Sequence, residues 1–225
     1  MQNIKQVVIV GIGETAQLAY EYFTHDSDYT ICAFAVHKQY KNSDEFLGLP
    51  LVEVEQLVDL YPAGRYKVFV AMSSGELNYA RARVYNEIKT KGYICASYIS
   101  SRAFVWHNVS VGENCFILED NTLQPFTSVG DNVVMWSGNH LGHRSVVKNH
   151  CFITSHCVIS GFCEIGEYSF LGVNSCIANN VKIAKDNFIA LGSVINQNTK
   201  ENAIYRGNPA EISKIPAKKF CKVKE

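Results

Sequence analysis

Branched aliphatic residues or Met recur at every sixth position through almost half of the chain, and this period constrains the fold more than any other feature. The run begins at Ile99, ends at Ile195 and fills seventeen consecutive repeat positions without a gap. If roughly a quarter of all residues are of this type, chance produces such a run on the order of once in ten billion trials. The repeat positions are Ile99, Val105, Val111, Ile117, Leu123, Val129, Met135, Leu141, Val147, Ile153, Ile159, Ile165, Leu171, Ile177, Ile183, Ile189 and Ile195.

A second phase of the repeat, four residues after the aliphatic position, carries mostly small side chains. Four of the eight cysteines lie in it, and Cys behaves as a small hydrophobe where little space is available. The chain has no C-x-x-C pair and no Cys and His residues at zinc-binding spacing, so we interpret these four cysteines as packing residues. The residues of the small phase are Ala103, Cys115, Thr127, Ser145, Cys151, Cys157, Cys163, Ser169, Ser175, Ser193 and Thr199.

Glycine often follows the aliphatic position, and Gly112, Gly130 and Gly166 are separated by multiples of eighteen residues. Three hexads in each coil place such residues one above another along one edge. An apolar stripe and a small stripe that both repeat by six describe short strands stacked coil on coil. One coil alone is unstable, whereas several stacked coils bury a continuous core. The sequence therefore predicts a parallel β-helix of hexapeptide repeats over residues 98–200.

The first 97 residues lack this period and alternate between strand-like and helix-like patterns. This alternation predicts an α/β unit, a small Rossmann-like parallel sheet with helices on both faces. We expect residues 1–97 to form this domain, residues 98–200 the β-helix, and residues 201–225 a tail of loop and short helix. The predicted elements are, in order, a strand over 6–10, a helix over 16–23, strands over 29–36 and 66–71 separated by a helix over 54–61, a helix over 77–91 and a strand over 93–99.

The turn after the first strand contains Gly11 and Gly13 and leads into the first helix. Such a turn allows phosphate to approach backbone N–H groups, although Glu14 faces an anion unfavourably. The second strand ends at Val36 and His37, without the acidic residue that holds a nicotinamide ribose, so the pattern does not favour an NAD site. The turn is therefore either a structural tight turn or a phosphate site for a nucleotide-linked substrate.

The charges of the chain balance, with 21 Lys and Arg residues and 21 Asp and Glu residues. No overall field favours nucleic acid or an anionic membrane. No stretch reaches the ~20 apolar residues of a membrane helix, and the apolar run that ends at Val10 is too short for a signal peptide. We therefore expect a cytoplasmic protein that has neither nucleic acid nor a membrane as a partner.

The whole chain resembles the sialic-acid O-acetyltransferase family of sugar acyltransferases, which includes N-acetyltransferases for bacillosamine and perosamine precursors. The resemblance rests on V-G-I-G-E-T-A over 10–16, on the hexapeptide repeat and on G-N-P-A over 207–210. It implies a left-handed β-helix, a homotrimer with active sites between subunits, and acetyl-CoA bound along the groove between neighbouring β-helices. It also implies that the N-terminal sheet holds the nucleotide of the sugar, and it implies no metal.

The resemblance assigns the catalytic base to His143, two residues after a repeat position, and imidazole titrates in the range that such a base needs. His140, near the same corner, is the alternative catalytic residue. Gly161 lies eighteen residues after His143, one coil above it, where glycine exposes a backbone N–H to an approaching carbonyl. The remaining implied residues are Gly172, Val173, Leu191 and Gly192 with Gly161 for acetyl-CoA, and Gly11, Gly13, Ser73 and Ser74 for the nucleotide sugar.

The sequence departs from the family pattern on both sides of the candidate catalytic base, His143. Gly142 and Arg144 stand where many relatives have acidic residues. No adjacent carboxylate orients His143, so either its partner comes from elsewhere or the base is less critical than in those relatives. We predict acetyl transfer from acetyl-CoA to the amino group of a nucleotide-linked deoxyamino sugar for a bacterial surface glycan. The alternatives are O-acetylation of a sugar hydroxyl, a non-catalytic assembly module, and a metal site formed by His140, His143 and His156.

Overall fold

An N-terminal α/β sheet and a C-terminal stack of coils follow one another in the computed structural model, which describes residues 5–224. Residues 1–4 and 225, in the predicted first domain and tail, lie outside the described residues. The elements of the N-terminal unit are β1 (Gln6–Val10), α1 (Glu14–His25), β2 (Thr30–Val36), β3 (Glu45–Phe46), β4 (Leu49–Glu53), α2 (Leu57–Leu60), β5 (Lys67–Val70) and α3 (Tyr79–Thr90). The strands form one sheet in the order β3-β4-β2-β1-β5, in which only the β3–β4 pair is antiparallel.

Both faces of this sheet are covered by helices, as the sequence predicts. Side chains of a strand alternate between its two faces. In β1, Val7 and Ile9 pack on the α1 side with Phe23, whereas Val8 packs on the opposite side with Ile88 of α3. Burial on both faces explains why β1 is a continuous apolar run rather than an alternating one.

A β-hairpin in this unit was missed by the sequence analysis. Strands β3 and β4 are joined by Leu47 and Gly48, which both have positive φ, at 50° and 75°. A type I′ two-residue hairpin turn requires positive φ at both positions, and its usual sequence signal is Asn-Gly or Asp-Gly. A Leu-Gly pair is a weak signal, so β4, which pairs with β2, was not predicted.

Three predicted elements are shorter than expected. The predicted helix over 54–61 is a 3-10 turn, Val54–Gln56, followed by the one-turn α2. The predicted helix over 77–91 begins only at Tyr79, because Leu77 has a positive φ that no α-helix accommodates. The predicted strand over 93–99 reduces to an isolated bridge at Cys95 and the strand Tyr98–Ile99.

The C-terminal unit is the predicted parallel β-helix, with strands of two residues on three faces. Each two-residue strand pairs in parallel with the strand eighteen residues away, as Leu123 does with Leu141. Face 1 contains Tyr98–Ile99, Phe116–Ile117, Val134–Met135, Phe152–Ile153, Phe170–Leu171, Phe188–Ile189, Ile204–Gly207 and Ala210–Ile212. Face 2 contains Phe104–Val105, Thr122–Leu123, His140–Leu141, Val158–Ile159, Cys176–Ile177 and Val194–Ile195. Face 3 contains Ser110–Val111, Ser128–Val129, Val146–Val147, Glu164–Ile165 and Lys182–Ile183.

The interior of the β-helix contains the two repeat phases that the sequence analysis singled out. From Ile117 to Ile195 every aliphatic position is buried, whereas Ile99 is 36% exposed, because the first coil has no coil beneath it. Cys115, Cys151 and Cys157 are fully buried and none is in a disulfide. Burial raises the pKa of the Cys115 and Cys151 thiols to about 12, so they are protonated and inert at neutral pH.

The segment after residue 200 differs in part from the predicted loop and short helix. Ile204–Gly207 adds a strand to face 1 and turns back through an antiparallel strand, Ala210–Ile212. A short helix, α4 (Ala217–Phe220), then follows as predicted. Within residues 5–224, no helix has the length and apolar character that crossing a membrane requires.

The N-terminal sheet packs against face 1, whose outward positions are mostly aromatic. Phe116 contacts Tyr22 and Phe69 with ring centroids 5.7 and 5.5 Å apart, and Phe152 belongs to the same apolar cluster. Large aromatic side chains contribute most of the apolar area at such contacts. These outward aromatic residues recur every eighteen residues, so this face differs from the other two already in the sequence.

Residues with positive φ, in the left-handed backbone conformation, lie at the corner between faces 3 and 1 and supply the polar part of the same interface. They recur every eighteen residues and reach β5 and α3. The Asn114 amide bonds both the N–H and the carbonyl of Val70, at 2.7 and 3.2 Å. Tyr168 stacks on Tyr79 with 4.1 Å between ring centroids. The column consists of Asn114, Asn132, His150, Tyr168 and Asp186, with φ between 54° and 64°.

Arg81 of α3 is fully buried at the centre of this interface. Its guanidinium donates to Asn132 Oδ1 at 3.1 Å, and to the carbonyls of Ser73, Asn132, His150 and Cys151 at 2.9–3.2 Å. None of these acceptors is a carboxylate, so carbonyl dipoles, together with the Phe152 ring 5.6 Å from the guanidinium carbon, compensate the charge. Burial lowers the pKa of Arg81 to about 10, and burial followed by the nearby Arg81 charge lowers the pKa of His150 to about 4. His150 is therefore neutral at pH 7 and adds no second charge.

We expect Arg81→Ala to lower the free energy of unfolding by about 3–5 kcal/mol, because it leaves buried carbonyls unpaired and opens a cavity. Arg83→Ala, on the same helix, removes a half-exposed ion pair with Glu76 and is expected to cost about 0–1 kcal/mol. Urea unfolding of the two variants measures the difference. Equal, small losses in both variants would contradict the assignment of Arg81 to the interface.

Candidate active site

A cavity of about 860 Å³ lies at the carboxyl ends of β1, β2 and β5. This edge of an open parallel sheet is where such sheets bind ligands. The turn after β1, the end of β2, the segment after β5 and the first turns of α3 line it. Of the residues proposed to bind the nucleotide sugar, Gly11, Gly13 and Ser73 line the cavity. Ser74 does not, and its carbonyl accepts the N–H of Asn78.

Gly11 is required by the close approach of two strand ends at this cavity. Its φ is 129°, and a Cβ at this position would lie 2.6 Å from the carbonyl oxygen of Ala71. Gly13 is the N-cap residue of α1 and provides no side-chain cap, so no side chain covers the first N–H groups of this helix. The glycine spacing thus has a structural reason at Gly11, and it leaves polar backbone open to the cavity near Gly13.

The acidic side chain at the end of β2 comes from α3, whereas the sequence analysis considered only the residues of β2 itself. Glu87 of α3 lies with its Oε2 2.8 Å from Nε2 of His37, and both residues line the cavity. Arg83, one turn earlier on α3, lines it as well. The sequence analysis missed both α3 residues. Their four-residue spacing predicts a shared helix face, but it does not say which face meets the cavity.

His143 lies at the corner between faces 2 and 3, with Gly161 one coil above it. A Cβ on Gly161 would lie 2.6–3.0 Å from three ring atoms of His143, so the imidazole occupies the space that the missing side chain leaves. The ring also meets the edge of Phe162, with centroids 5.0 Å apart. The His143 main-chain N–H donates to Gln124 Oε1 at 2.9 Å. The sequence analysis correctly placed Gly161 beside His143.

Packing, rather than a carboxylate, fixes the exposed His143 ring within this chain. Over residues 5–224 no side chain hydrogen-bonds to either ring nitrogen. The neighbouring Arg144 turns away and lies over the ring of Phe126, 4.6 Å from its centroid. Both ring nitrogens of His143 are therefore available to a substrate or to a neighbouring chain.

The other two candidate histidines lie on different parts of the coil. His140 is half-buried on face 2, three residues before His143. His156 lies at the corner between faces 1 and 2, where its ring fills the space above Gly138. The described residues contain no group of three His, Cys, Asp or Glu side chains placed to hold a metal ion. The three histidines therefore do not form the alternative metal site within one chain.

The four remaining residues proposed for acetyl-CoA lie at the corner between faces 1 and 2. Gly172 is buried directly below Leu191, since a Cβ on it would lie 2.5 Å from the Leu191 N atom. Leu191 is 78% exposed, and Val173 is also exposed. Face 2 separates this corner from the corner of His143, so one chain does not bring all the predicted site residues together.

Exposed apolar side chains continue from face 2 around the His143 corner to face 3. A monomer seldom leaves so many large apolar side chains clustered in water. We call this group the apolar strip. It consists of Phe104, Trp106, Phe126, Val146, Val158 and Phe162, which are 36–57% exposed.

The cavity and the coil together define a class of fold, a hexapeptide-repeat β-helix preceded by a parallel sheet with a cavity at its strand ends. The chain is similar to perosamine N-acetyltransferase from Caulobacter crescentus, solved as a histidine-to-asparagine variant with CoA and GDP-perosamine, with 23% identity and a TM-score of 0.83. That match covers 93% of this chain and 97% of the other.

Two further solved structures resemble the chain over both units. The acetyltransferase domain of PglB from Neisseria gonorrhoeae, solved with acetyl coenzyme A, is 17% identical with a TM-score of 0.82 over 93% of this chain and 99% of that domain. WeeI from Acinetobacter baumannii is 15% identical, with a TM-score of 0.53 over 92% and 99%. No protein-family model and no curated protein matches the sequence. At these identities the likeness establishes the fold.

Proposed function

We propose that this protein transfers an acetyl group from acetyl-CoA to the amino group of a nucleotide-linked deoxyamino sugar. The supporting observation is the shared two-unit architecture, which matches the perosamine N-acetyltransferase over 93% of this chain. That enzyme was solved with CoA and a nucleotide-linked amino sugar. The proposal places the reaction in the cytoplasm, in the synthesis of a bacterial surface glycan.

The cavity in the N-terminal unit is the proposed site of the nucleotide. Its volume of about 860 Å³ lies within the range of about 300–1,000 Å³ that is usual for small-molecule pockets. It lies at the strand ends where the first turn carries Gly11 and Gly13, and Ser73 adds a hydroxyl at the rim. These residues support the binding of a nucleotide-linked sugar that the resemblance implies for the Rossmann-like N-terminal unit.

His143 is the proposed base. The substrate amine attacks the thioester carbonyl carbon of acetyl-CoA, forming the amide C–N bond as the C–S bond breaks. The amine proton passes to a ring nitrogen of His143, and CoA leaves as a thiolate that takes up a proton. The Gly161 backbone beside the ring is the proposed donor to the developing oxyanion, an interaction that typically contributes about 3–4 kcal/mol. No acyl-enzyme is needed, because Cys157 and Cys163 point into the coil and no cysteine thiol among residues 5–224 is hydrogen-bonded to a basic side chain.

The proposed assembly is a homotrimer in which acetyl-CoA lies between neighbouring β-helices. The apolar strip supports an interface on faces 2 and 3, because a second copy of the chain would cover it. In that arrangement the His143 corner of one chain would meet Gly172, Val173, Leu191 and Gly192 of the next. This meeting would unite the two groups of residues that one chain keeps apart.

The acyl-transfer proposal is tested with acetyl-CoA and a panel of UDP-, GDP- and dTDP-linked 3- and 4-amino sugars, with sialic acid and CMP-sialic acid as hydroxyl acceptors. We expect thiol release with one amino sugar and an N-acetylated product by mass spectrometry. His143→Asn should lower kcat/KM by about 10²–10⁴, the usual contribution of a general base. His140→Asn should retain most activity.

A glycine variant beside His143, with its melting temperature and a second glycine variant on the N-terminal unit as controls, tests the position of the ring. Gly161→Ala must displace the imidazole, whereas Gly64→Ala has no atom within 4 Å of the new Cβ. We expect only the first to lower activity, with little change in melting temperature for either. Thiol release with the hydroxyl acceptors alone would identify an O-acetyltransferase. Silence across the panel without acetyl-CoA binding would refute the acyltransferase proposal.

The trimer is tested by light scattering on the full chain, where we expect three times the chain mass of 25.2 kDa. Phe126→Glu, in the apolar strip, should dissociate the trimer and abolish activity, because it would place a charge in an apolar interface, where pairing with the neighbouring Arg144 would not offset the cost of desolvation. Leu60→Glu replaces a similarly exposed apolar residue on the N-terminal unit and should leave the mass unchanged. A monomeric, active wild-type protein would contradict the assembly.

A further inference from the structure

The turn that precedes α3 presents Glu76 at the mouth of the nucleotide cavity. Three successive residues, Glu76, Leu77 and Asn78, have φ between 52° and 69°. Leu77 and Asn78 are buried, and the Asn78 amide donates to the carbonyl of Tyr168 at 3.0 Å. The β-helix therefore holds this left-handed turn in place, and with it the Glu76 side chain.

The C-terminal segment runs from the β-helix to the same place. Ala217 is fully buried in a cluster with Leu77, and Val223 packs against that cluster. Lys218 pairs with the buried Asp186 at 3.2 Å. These contacts anchor the segment, so the position of Lys224, which follows Val223, is set by the fold.

Glu76 holds two cationic side chains at the cavity mouth. Its Oε2 lies 2.8 Å from a guanidinium nitrogen of Arg83 and accepts the Lys224 main-chain N–H at 3.1 Å. The Lys224 ammonium lies 4.0 Å from Oε1 of the same carboxylate. Arg83 and then Lys224 hold the pKa of Glu76 below its usual value, so it is ionised at neutral pH.

The charges along the cavity wall leave few partners for an anionic ligand. Arg83 and Lys224 are the permanently cationic side chains among its described lining residues, and Glu14, Glu76 and Glu87 oppose an anion. A diphosphate bound here needs both cations, since backbone N–H groups alone would face three carboxylates. Arginine and lysine are the side chains that bind phosphate most strongly.

We infer that Arg83 and Lys224 bind the diphosphate of the nucleotide-linked substrate, so that the C-terminal segment forms one wall of the nucleotide site. This inference rests on the proposed function and names two of its substrate-binding residues. Glu76 keeps both cations at the mouth. When the nucleotide enters, they turn from Glu76 to the phosphate oxygens.

The test is calorimetric titration of the full chain with UDP, GDP, dTDP and CMP, and with the matching nucleosides. We expect Lys224→Met to weaken binding of the preferred nucleotide about 3- to 10-fold, and Arg83→Met about 10-fold or more. The nucleoside should bind equally well to all variants, and the salt dependence of nucleotide binding should fall. Lys222→Met, two residues away, exposed and outside the cavity wall, is the matched control.

The possible outcomes separate this inference from the proposed function. If the wild type binds a nucleotide and Lys224→Met binds it equally well, the role of Lys224 is refuted and the nucleotide site stands. If both variants weaken the nucleoside as much as the nucleotide, the cations act on the shape of the cavity and the phosphate assignment is wrong. If the wild type binds none of the four nucleotides, the nucleotide site and this inference both fail.

Discussion

The eighteen-residue coil is the constraint on which the rest of the structure depends. Because three hexads close each coil, residues eighteen apart lie directly above one another. A side-chain type that recurs at this spacing therefore forms a stripe along the coil. The aromatic stripe of face 1 meets α1, and the left-handed column at the next corner meets β5 and α3. The same register places Gly161 above His143. Docking of the sheet and positioning of the candidate base therefore follow from one period.

The two units are joined by a buried cation without a carboxylate partner. An unpaired buried charge is expensive, and here five or more carbonyl and amide oxygens surround the Arg81 guanidinium instead. Depression of the pKa of His150 to about 4 keeps that side chain neutral beside it. Arg81 also bonds the carbonyl of Ser73, a residue of the cavity wall. One side chain thus contacts both the coil, at Asn132, and the cavity wall, at Ser73.

The sequence predicts the repeat region well and the junctions poorly, for physical reasons. The coil follows from a local pattern that each hexad reinforces, and the buried cysteines follow from the same phase. The hairpin at Leu47, the late start of α3 and the strand at Ile204 depend on backbone conformations or pairings that tertiary packing selects. The residues of the candidate site likewise divide into those that the repeat predicts and those that only tertiary packing brings together.

His143 and Gly161 follow from periodicity and resemblance, whereas Glu87, Arg83 and Lys224 meet at the cavity only after the chain has folded. Local sequence cannot say which face of α3 lies over a strand edge, nor where the segment after the last coil returns. Likewise, the corner of His143 and the corner of Gly172 come from one repeat, yet one chain separates them. In the proposed trimer, a second copy of the chain would bring the two corners together.

The most direct measurement is a crystal structure of the protein with CoA and a nucleotide-linked amino sugar. The account predicts that the nucleotide occupies the cavity beside Gly11 and Ser73. It further predicts that the sugar amine lies within about 3.5 Å of a His143 ring nitrogen, with the CoA sulfur close by. A nucleotide bound outside that cavity, or an amine remote from every His143 in the assembly, would contradict the claim that the two units serve one reaction.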